Sequence, residues 1–151
     1  MEKKLSVVWL AARLVENANG FLKGELAAAG YRDISTSQGD IFAALFRKDG
    51  QAVSELARAT RRTKSTVSVM VDKLSASGYV EKRSSAEDSR AVGVWLTEKG
   101  RAFEDPLMQI SARMNEKLAG GFRDHELAAL TDFLMRCNEN LTGEKDFTLK
   151  W

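Results

Sequence analysis

The run Arg61-Arg62-Thr63-Lys64-Ser65-Thr66 gathers three cations and three hydroxyls into six consecutive residues, with Ser68, Val69 and Lys73 following. Thr63 is placed to cap a helix, so Lys64, Ser65 and Thr66 make up its first turn, where unpaired backbone N–H groups favour phosphate. Side chains near the start of a helix also reach base edges when it enters the major groove of DNA. Lys82, Arg83 and Arg90 lie farther along, in a strand-like segment and the polar stretch after it. An arginine on a loop can enter a minor groove, whose narrow walls concentrate negative potential. The same residues also fit a solvated, mildly basic helix face, or a surface that contacts protein; the spacing favours DNA.

Little else in the chain invites chemistry. There is one histidine, His125, and one cysteine, Cys137, so metal sites built from several such ligands are excluded and no cofactor is expected. No paired acid–base constellation, Ser–His–Asp spacing or phosphate-cradling glycine loop appears, so an enzyme is not expected. Cys137 lies in an apolar stripe and reads as a buried structural thiol rather than a redox sensor; His125, next to Asp124, reads as a surface residue. A lone cysteine forms no internal disulfide, which suits a cytoplasmic protein. No apolar run approaches the roughly 20 residues that span a bilayer, and Met1–Leu10 is too interrupted for a signal peptide, so no membrane partner is expected.

Six segments read as helices and two as strands. Leu5, Val8, Ala12, Val15, Asn19, Leu22 and Leu26 alternate spacings of three and four, a long amphipathic helix ended by Gly30. Ser35-Thr36-Ser37 offers caps for a second, with Ile41, Phe42, Leu45 and Phe46 inward. Val53, Leu56 and Ala57 mark a short third that Ser54 is placed to cap. The fourth runs from Thr63 to about Ser77, with Val67, Met70, Val71 and Leu74 inward and Ser65, Ser68, Val69 and Asp72 outward. Tyr79–Arg83 and Val92–Leu96 then read as a hairpin with a polar connection. Thr97 caps a helical region through Leu118 that Pro106 bends or restarts, and Asp124 caps a last helix through Leu141. Two short helices and then a basic hairpin make a winged helix-turn-helix: a mainly α fold with a small β-hairpin wing. A single proline suits its long helices.

The net charge of +2 is unevenly distributed. Residues 1–46 are balanced, residues 47–101 hold twelve basic against seven acidic side chains, and residues 102–151 hold six against nine. A basic centre between neutral and acidic flanks is the pattern expected if the middle alone meets a polyanion.

The segments Ser54-Glu55-Leu56-Ala57, Lys64-Ser65-Thr66-Val67-Ser68, Asp72-Lys73-Leu74, Gly78-Tyr79-Val80-Glu81-Lys82-Arg83, Asp88-Ser89-Arg90 and Leu96-Thr97-Glu98-Lys99-Gly100-Arg101 resemble the multiple-antibiotic-resistance regulator (MarR) family. The resemblance holds in register over about residues 53–101 and more weakly beyond. It implies a winged helix-turn-helix over 34–101 and dimerisation helices over 1–33 and 102–151 of a single domain. It also implies an obligate homodimer in which the terminal helices intertwine. Lys64, Ser65, Thr66 and Ser68 would enter the major groove of double-stranded DNA. Arg90 would enter the minor groove from the wing tip, with Asp88 bracing it or only capping the turn. Lys82 and Arg83 fit phosphate contacts or solvated strand charges, and Lys73 fits a surface pair with Asp72 or Glu81 better than a phosphate contact.

The chain departs from the family at several places. Arg61 stands where glycine is common and Arg62 where an apolar residue is common; as added cations, both are expected to contact phosphates. Ser84 replaces a common proline, and Val69 a common arginine, a loss expected to weaken or redirect base readout. The family often binds small aromatic or amphipathic ligands between the dimerisation helices and the winged region. Trp9, Phe21, Phe42, Phe46 and Phe103 are candidates to line such a pocket, although plain core is the better reading of them. The zinc-sensing members need histidines that this chain lacks. The function implied is a sequence-specific transcription regulator, a repressor released by a small molecule and bound as a dimer to a palindromic operator. The alternative is a winged-helix module for protein–protein interaction.

Overall fold

A computed structural model describes residues 6–84 and 92–143. The helices are α1 (Val7–Ala28), α2 (Gly39–Arg47), α3 (Val53–Thr60), α4 (Lys64–Ala76), α5 (Glu98–Ala102), α6 (Glu104–Ala119) and α7 (Asp124–Thr142). The strands β1 (Gln51–Ala52), β2 (Val80–Ser84) and β3 (Val92–Leu96) form an antiparallel sheet in the order β1-β3-β2. The chain divides into two compact units, 1–114 and 115–151, with the boundary inside α6. This is the mainly helical, winged helix-turn-helix fold expected, with long helices toward both ends. The expected wing connection, with Asp88 and Arg90, lies outside the described residues, as do Leu5 and the tail after Gly143.

Helix starts follow local capping chemistry. Thr63 Oγ1 accepts from the Thr66 N–H at 3.2 Å, and Thr97 Oγ1 from the Gly100 N–H at 3.1 Å, as the sequence indicates. Ser54 and Asp124, by contrast, are not caps. The Ala52 N–H donates to Glu55 Oε2 at 2.8 Å, and the Arg123 N–H to Glu126 Oε2 at 2.8 Å, so each helix begins one or two residues earlier than its polar residue suggests. An acidic residue three positions into a helix captures the N-cap N–H whatever side chain the cap carries, and so bypasses the usual cap signal. Both carboxyls are held below their ordinary range, Glu55 chiefly by that N–H and Glu126 chiefly by the Arg123 guanidinium. Pro106 lies in the first turn of α6, where its missing N–H costs no helical hydrogen bond; the restart occurs at Phe103, between α5 and α6.

The first unit holds the core. Ile41, Phe42 and Leu45 of α2, Leu56 of α3, Val67, Val71 and Leu74 of α4, and Tyr79, Val80, Val94 and Leu96 of the sheet region pack together with Phe103, Leu107 and Ile110. Aromatic rings tie the layers: Phe103 meets Phe42 with centroids 4.7 Å apart and Tyr31 at 4.6 Å. Gly100 is required at the α5 seam, because a Cβ there would lie 2.1 Å from the Tyr79 carbonyl oxygen. Asp49 binds the seam's other side, accepting from the Leu96 N–H at 2.9 Å and from Arg101 at 2.6 Å.

Strand β1 was not legible in the sequence, since two residues carry no periodicity. It pairs Gln51 with Val94 and Ala52 with Gly93, turning the hairpin into a three-stranded sheet with β3 at its centre. The buried Gln51 amide secures it by donating to the carbonyls of Ala44 at 2.7 Å and Lys48 at 2.6 Å.

The terminal stripes behave differently from the core. On α1, Leu26 is buried and Leu22 packs on the core, but Val7, Val8, Trp9, Leu10, Leu14 and Val15 are exposed. In the second unit no residue of α7 is buried; Leu130, Phe133 and Leu141 are exposed, and so is Cys137. The expectation of a buried thiol is therefore corrected: the apolar stripe is real, but none of the described residues covers its cysteine. His125 is exposed, as expected. No helix among the described residues is long and apolar enough to cross a membrane.

Candidate nucleic-acid interface

Helix α4 presents two unlike faces. Val67, Met70, Val71 and Leu74 are buried, whereas Ser65, Val69, Asp72 and Ala76 are exposed and spaced four, three and four apart, one stripe down the opposite side. The first turn is a cluster of hydroxyls: Thr63 Oγ1 lies 3.0 Å from Ser65 Oγ and 2.9 Å from Thr66 Oγ1. Lys64 is exposed beside them and makes no ion pair among the described residues. Ser68 is half-buried at the edge of the stripe. The sequence assignment of inward and outward positions on this helix is thus reproduced.

The turn from α3 to α4 bends through Arg61, whose φ of 53° is the one left-handed value at a non-glycine residue among those described. A side chain there crowds the following carbonyl, and glycine avoids that cost, which explains why glycine suits this position. Around the turn a shallow surface depression of about 670 Å3 is bordered by Ser54, Arg58, Arg61, Arg62 and Lys64. Arg58 escaped the sequence reading. It lies in the last turn of α3, and the left-handed turn at Arg61 is what sets Arg58, Arg61 and Arg62 around one depression, which spacing in the sequence does not encode.

Three of the expected cations are engaged by acids. Arg62 Nη2 pairs with Asp40 Oδ2 at 3.2 Å, and its Nε is buried with no partner among the described residues. Lys82 pairs with Asp72, joining β2 to α4. Arg83 donates through Nε to Glu81 at 2.8 Å and lies 5.2 Å from the Trp95 ring centroid. The expected pairing of Lys73 with Asp72 or Glu81 is therefore corrected, because closer partners across the α4–β2 junction and along β2 occupy both acids. Both cations of β2 are thus engaged by acids, whereas Lys64 at the start of α4 makes no ion pair among the described residues.

Lys73 instead lines a cleft of about 920 Å3 between α1, the loop after it and the end of α4. Asn19, Lys23, Tyr31, Arg32 and Asp33 also line it. None of the five aromatics proposed as pocket lining takes part. Phe42 and Phe103 are wholly buried core, Phe46 packs partly on it, Phe21 is half-buried, and Trp9 is exposed on α1. Spacing alone does not distinguish a ring that fills a core from one that borders a cavity. No group of three or more metal-ligating side chains occurs among the described residues.

A family model described as the MarR family matches residues 32–91, which include α2, α3, α4 and β2. Among curated proteins, a transcriptional activator of exopolysaccharide II synthesis from Rhizobium meliloti is 28% identical over 117 residues. That match takes in 75% of this chain, and the chain spans about 60% of the length of that relative. Among solved structures, a MarR transcriptional regulator from Methanosarcina mazei is 25% identical with a TM-score of 0.75, covering 89% of this chain and 94% of that one. BpsR of Bordetella bronchiseptica is 19% identical with a TM-score of 0.78, covering 92% and 97% respectively, a likeness of fold alone. Motif, fold and family model coincide on residues 32–91, and over that segment the chain is similar to the MarR family.

Proposed function

We propose that the protein is a sequence-specific DNA-binding transcription regulator, a homodimer that grips a roughly palindromic operator and leaves it when a small molecule binds. One observation carries this reading: the exposed stripe of α4 begins at a hydroxyl-rich first turn, and Arg58, Arg61 and Lys64 border the depression beside it. Cations there neutralise phosphates on either side of a groove while Ser65, Thr66 and Ser68 meet base edges. Lys82 and Arg83 are held by acids and add little to phosphate binding unless those pairs open on contact. Asp88 and Arg90 keep the wing-tip roles that the family resemblance assigns them, with Arg90 in the minor groove.

Dimerisation is supported by the uncovered apolar residues of α1 and α7, which exceed the scattered singles normal on a monomer surface. Two-fold pairing of such faces places two copies of α4 for successive major grooves, one helical turn apart. Residues 1–33 and 102–151 then serve association, and 34–101 serve DNA. Ligand control is supported by the cleft that α1 shares with the end of α4. Its lining carries Lys23, Arg32 and Lys73 beside Tyr31 and Ile34, a setting for a small aromatic or amphipathic acid. BpsR of Bordetella bronchiseptica has its DNA binding regulated by 6-hydroxynicotinic acid, a molecule of that kind. Repression is the sense proposed; the Rhizobium meliloti relative is named an activator, and a promoter fusion reads the sign directly. A cytoplasmic, non-enzymatic role without cofactor follows from this reading.

The acid-paired cations of β2 favour a second reading, a winged helix that contacts protein. A mobility-shift titration on the DNA upstream of the protein's own gene separates the two. Binding that falls steeply between 50 and 200 mM salt is expected, because phosphate contacts release counterions. A salt-insensitive shift, or none on any duplex, would overturn the DNA reading.

A further inference from the structure

We infer that Val69 is a specificity-determining residue that reads the 5-methyl group of thymine; the inference rests on α4 being the DNA-reading helix. Val69 is 54% exposed at the centre of the outward stripe, between Ser65 one turn before it and Asp72 one turn after. Each neighbour on that stripe has a polar role: the Ser65 hydroxyl joins the Thr63 cluster, and the Asp72 carboxylate is held by Lys82. Val69 offers only two methyl groups, on the side of the helix farthest from the core. A β-branched residue has below-average helix propensity, and at an exposed site no packing within the described chain offsets that. In a major groove an isopropyl group can neither donate nor accept, so it cannot satisfy guanine, cytosine or adenine edges. The thymine methyl is the one apolar feature displayed there. Pairing the two removes both apolar groups from water, whereas the same side chain over a G·C pair meets only polar edges that it cannot satisfy. As the sixth residue of α4, Val69 is within the first two turns, the part of a recognition helix that approaches bases.

The test uses the full-length protein and a random-sequence duplex library. Selected duplexes are expected to share a thymine in each half-site. Each thymine is then replaced singly by deoxyuridine, which deletes only the methyl. One position per half-site is expected to lose affinity about four-fold, the effect of one buried methyl-sized group, with a similar further loss when both half-sites are changed. Val69→Ala, at an exposed position, keeps the fold, which its melting curve checks, and binds thymine and uracil duplexes equally. If a site is selected but no thymine is shared, or if deoxyuridine acts equally on wild type and Val69→Ala, the inference fails while DNA binding stands. If no duplex is enriched over a protein-free control, the DNA-binding reading itself fails and takes this inference with it.

Discussion

Arg62 reaches across the α3–α4 turn to Asp40 in the first turn of α2, with Nη2 and Oδ2 3.2 Å apart. The contact joins residues 22 positions apart in sequence, and it turns a cation expected on phosphate into a brace within the helix-turn-helix. Both side chains are partly exposed, at 31% and 42%, so the pair itself contributes on the order of 1 kcal/mol or less. Arg62→Ala and Asp40→Asn are expected to lower the melting temperature by similar small amounts. The salt slope of DNA binding should change less in Arg62→Ala than in Lys64→Ala. A slope reduced by a full unit in Arg62→Ala, with Asp40→Asn silent in melting, would return Arg62 to the phosphate backbone.

Arg61 holds its left-handed conformation at a cost that glycine does not carry. Arg61→Gly is expected to leave stability unchanged or raise it by up to about 1 kcal/mol, the gain from relieved crowding being partly offset by the freer unfolded chain. The same change should weaken binding to all duplexes about equally and lower the salt slope by about one. Denaturant midpoints and salt titrations of one variant therefore move in different directions, which a purely structural or purely electrostatic role would not produce.

The uncovered faces of α1 and α7 lead to a prediction about assembly. Leu14→Glu and Phe133→Glu each place a charge on an exposed apolar position, at 44% and 57% exposure, where a monomer tolerates it. Sedimentation should show a dimer for wild type and a shift toward monomer for each variant, with circular dichroism of the winged region little changed. Operator affinity should fall with the dimer fraction, because a half-site alone loses the second set of contacts. Wild-type protein that sediments as a monomer would refute the arrangement.

Tyr79 supplies a pH signature of the core. Burial, helped by the Asp33 carboxylate that accepts from its hydroxyl at 3.1 Å, pushes its pKa from 10 up to about 12. The folded state therefore favours the neutral phenol. The resulting stabilisation is fully present below pH 10 and is lost as pH rises from 10 to 12, since the unfolded chain ionises first. Urea midpoints at pH 9 and pH 11 should fall more for wild type than for Tyr79→Phe. Equal falls would show that other groups govern alkaline unfolding.

Periodicity and capping were enough to place nearly every helix, the hairpin strands and the two faces of α4, because amphipathic spacing reports directly which side a local element turns to its own core. Thr63, Val67, Met70, Val71 and Leu74 needed no tertiary information, and neither did the hydroxyl-rich first turn. The partners of charged side chains were a different matter. Arg62 with Asp40, Lys82 with Asp72, and Lys73 in the cleft depend on how elements distant in sequence come together. A long flexible cation chooses among acids by distance in space, and one-dimensional spacing does not encode that distance. The strand β1 and the fates of Phe42, Phe103 and Cys137 were decided in the same way. Whether a residue is buried depends on what covers it, and only the packed chain supplies the cover.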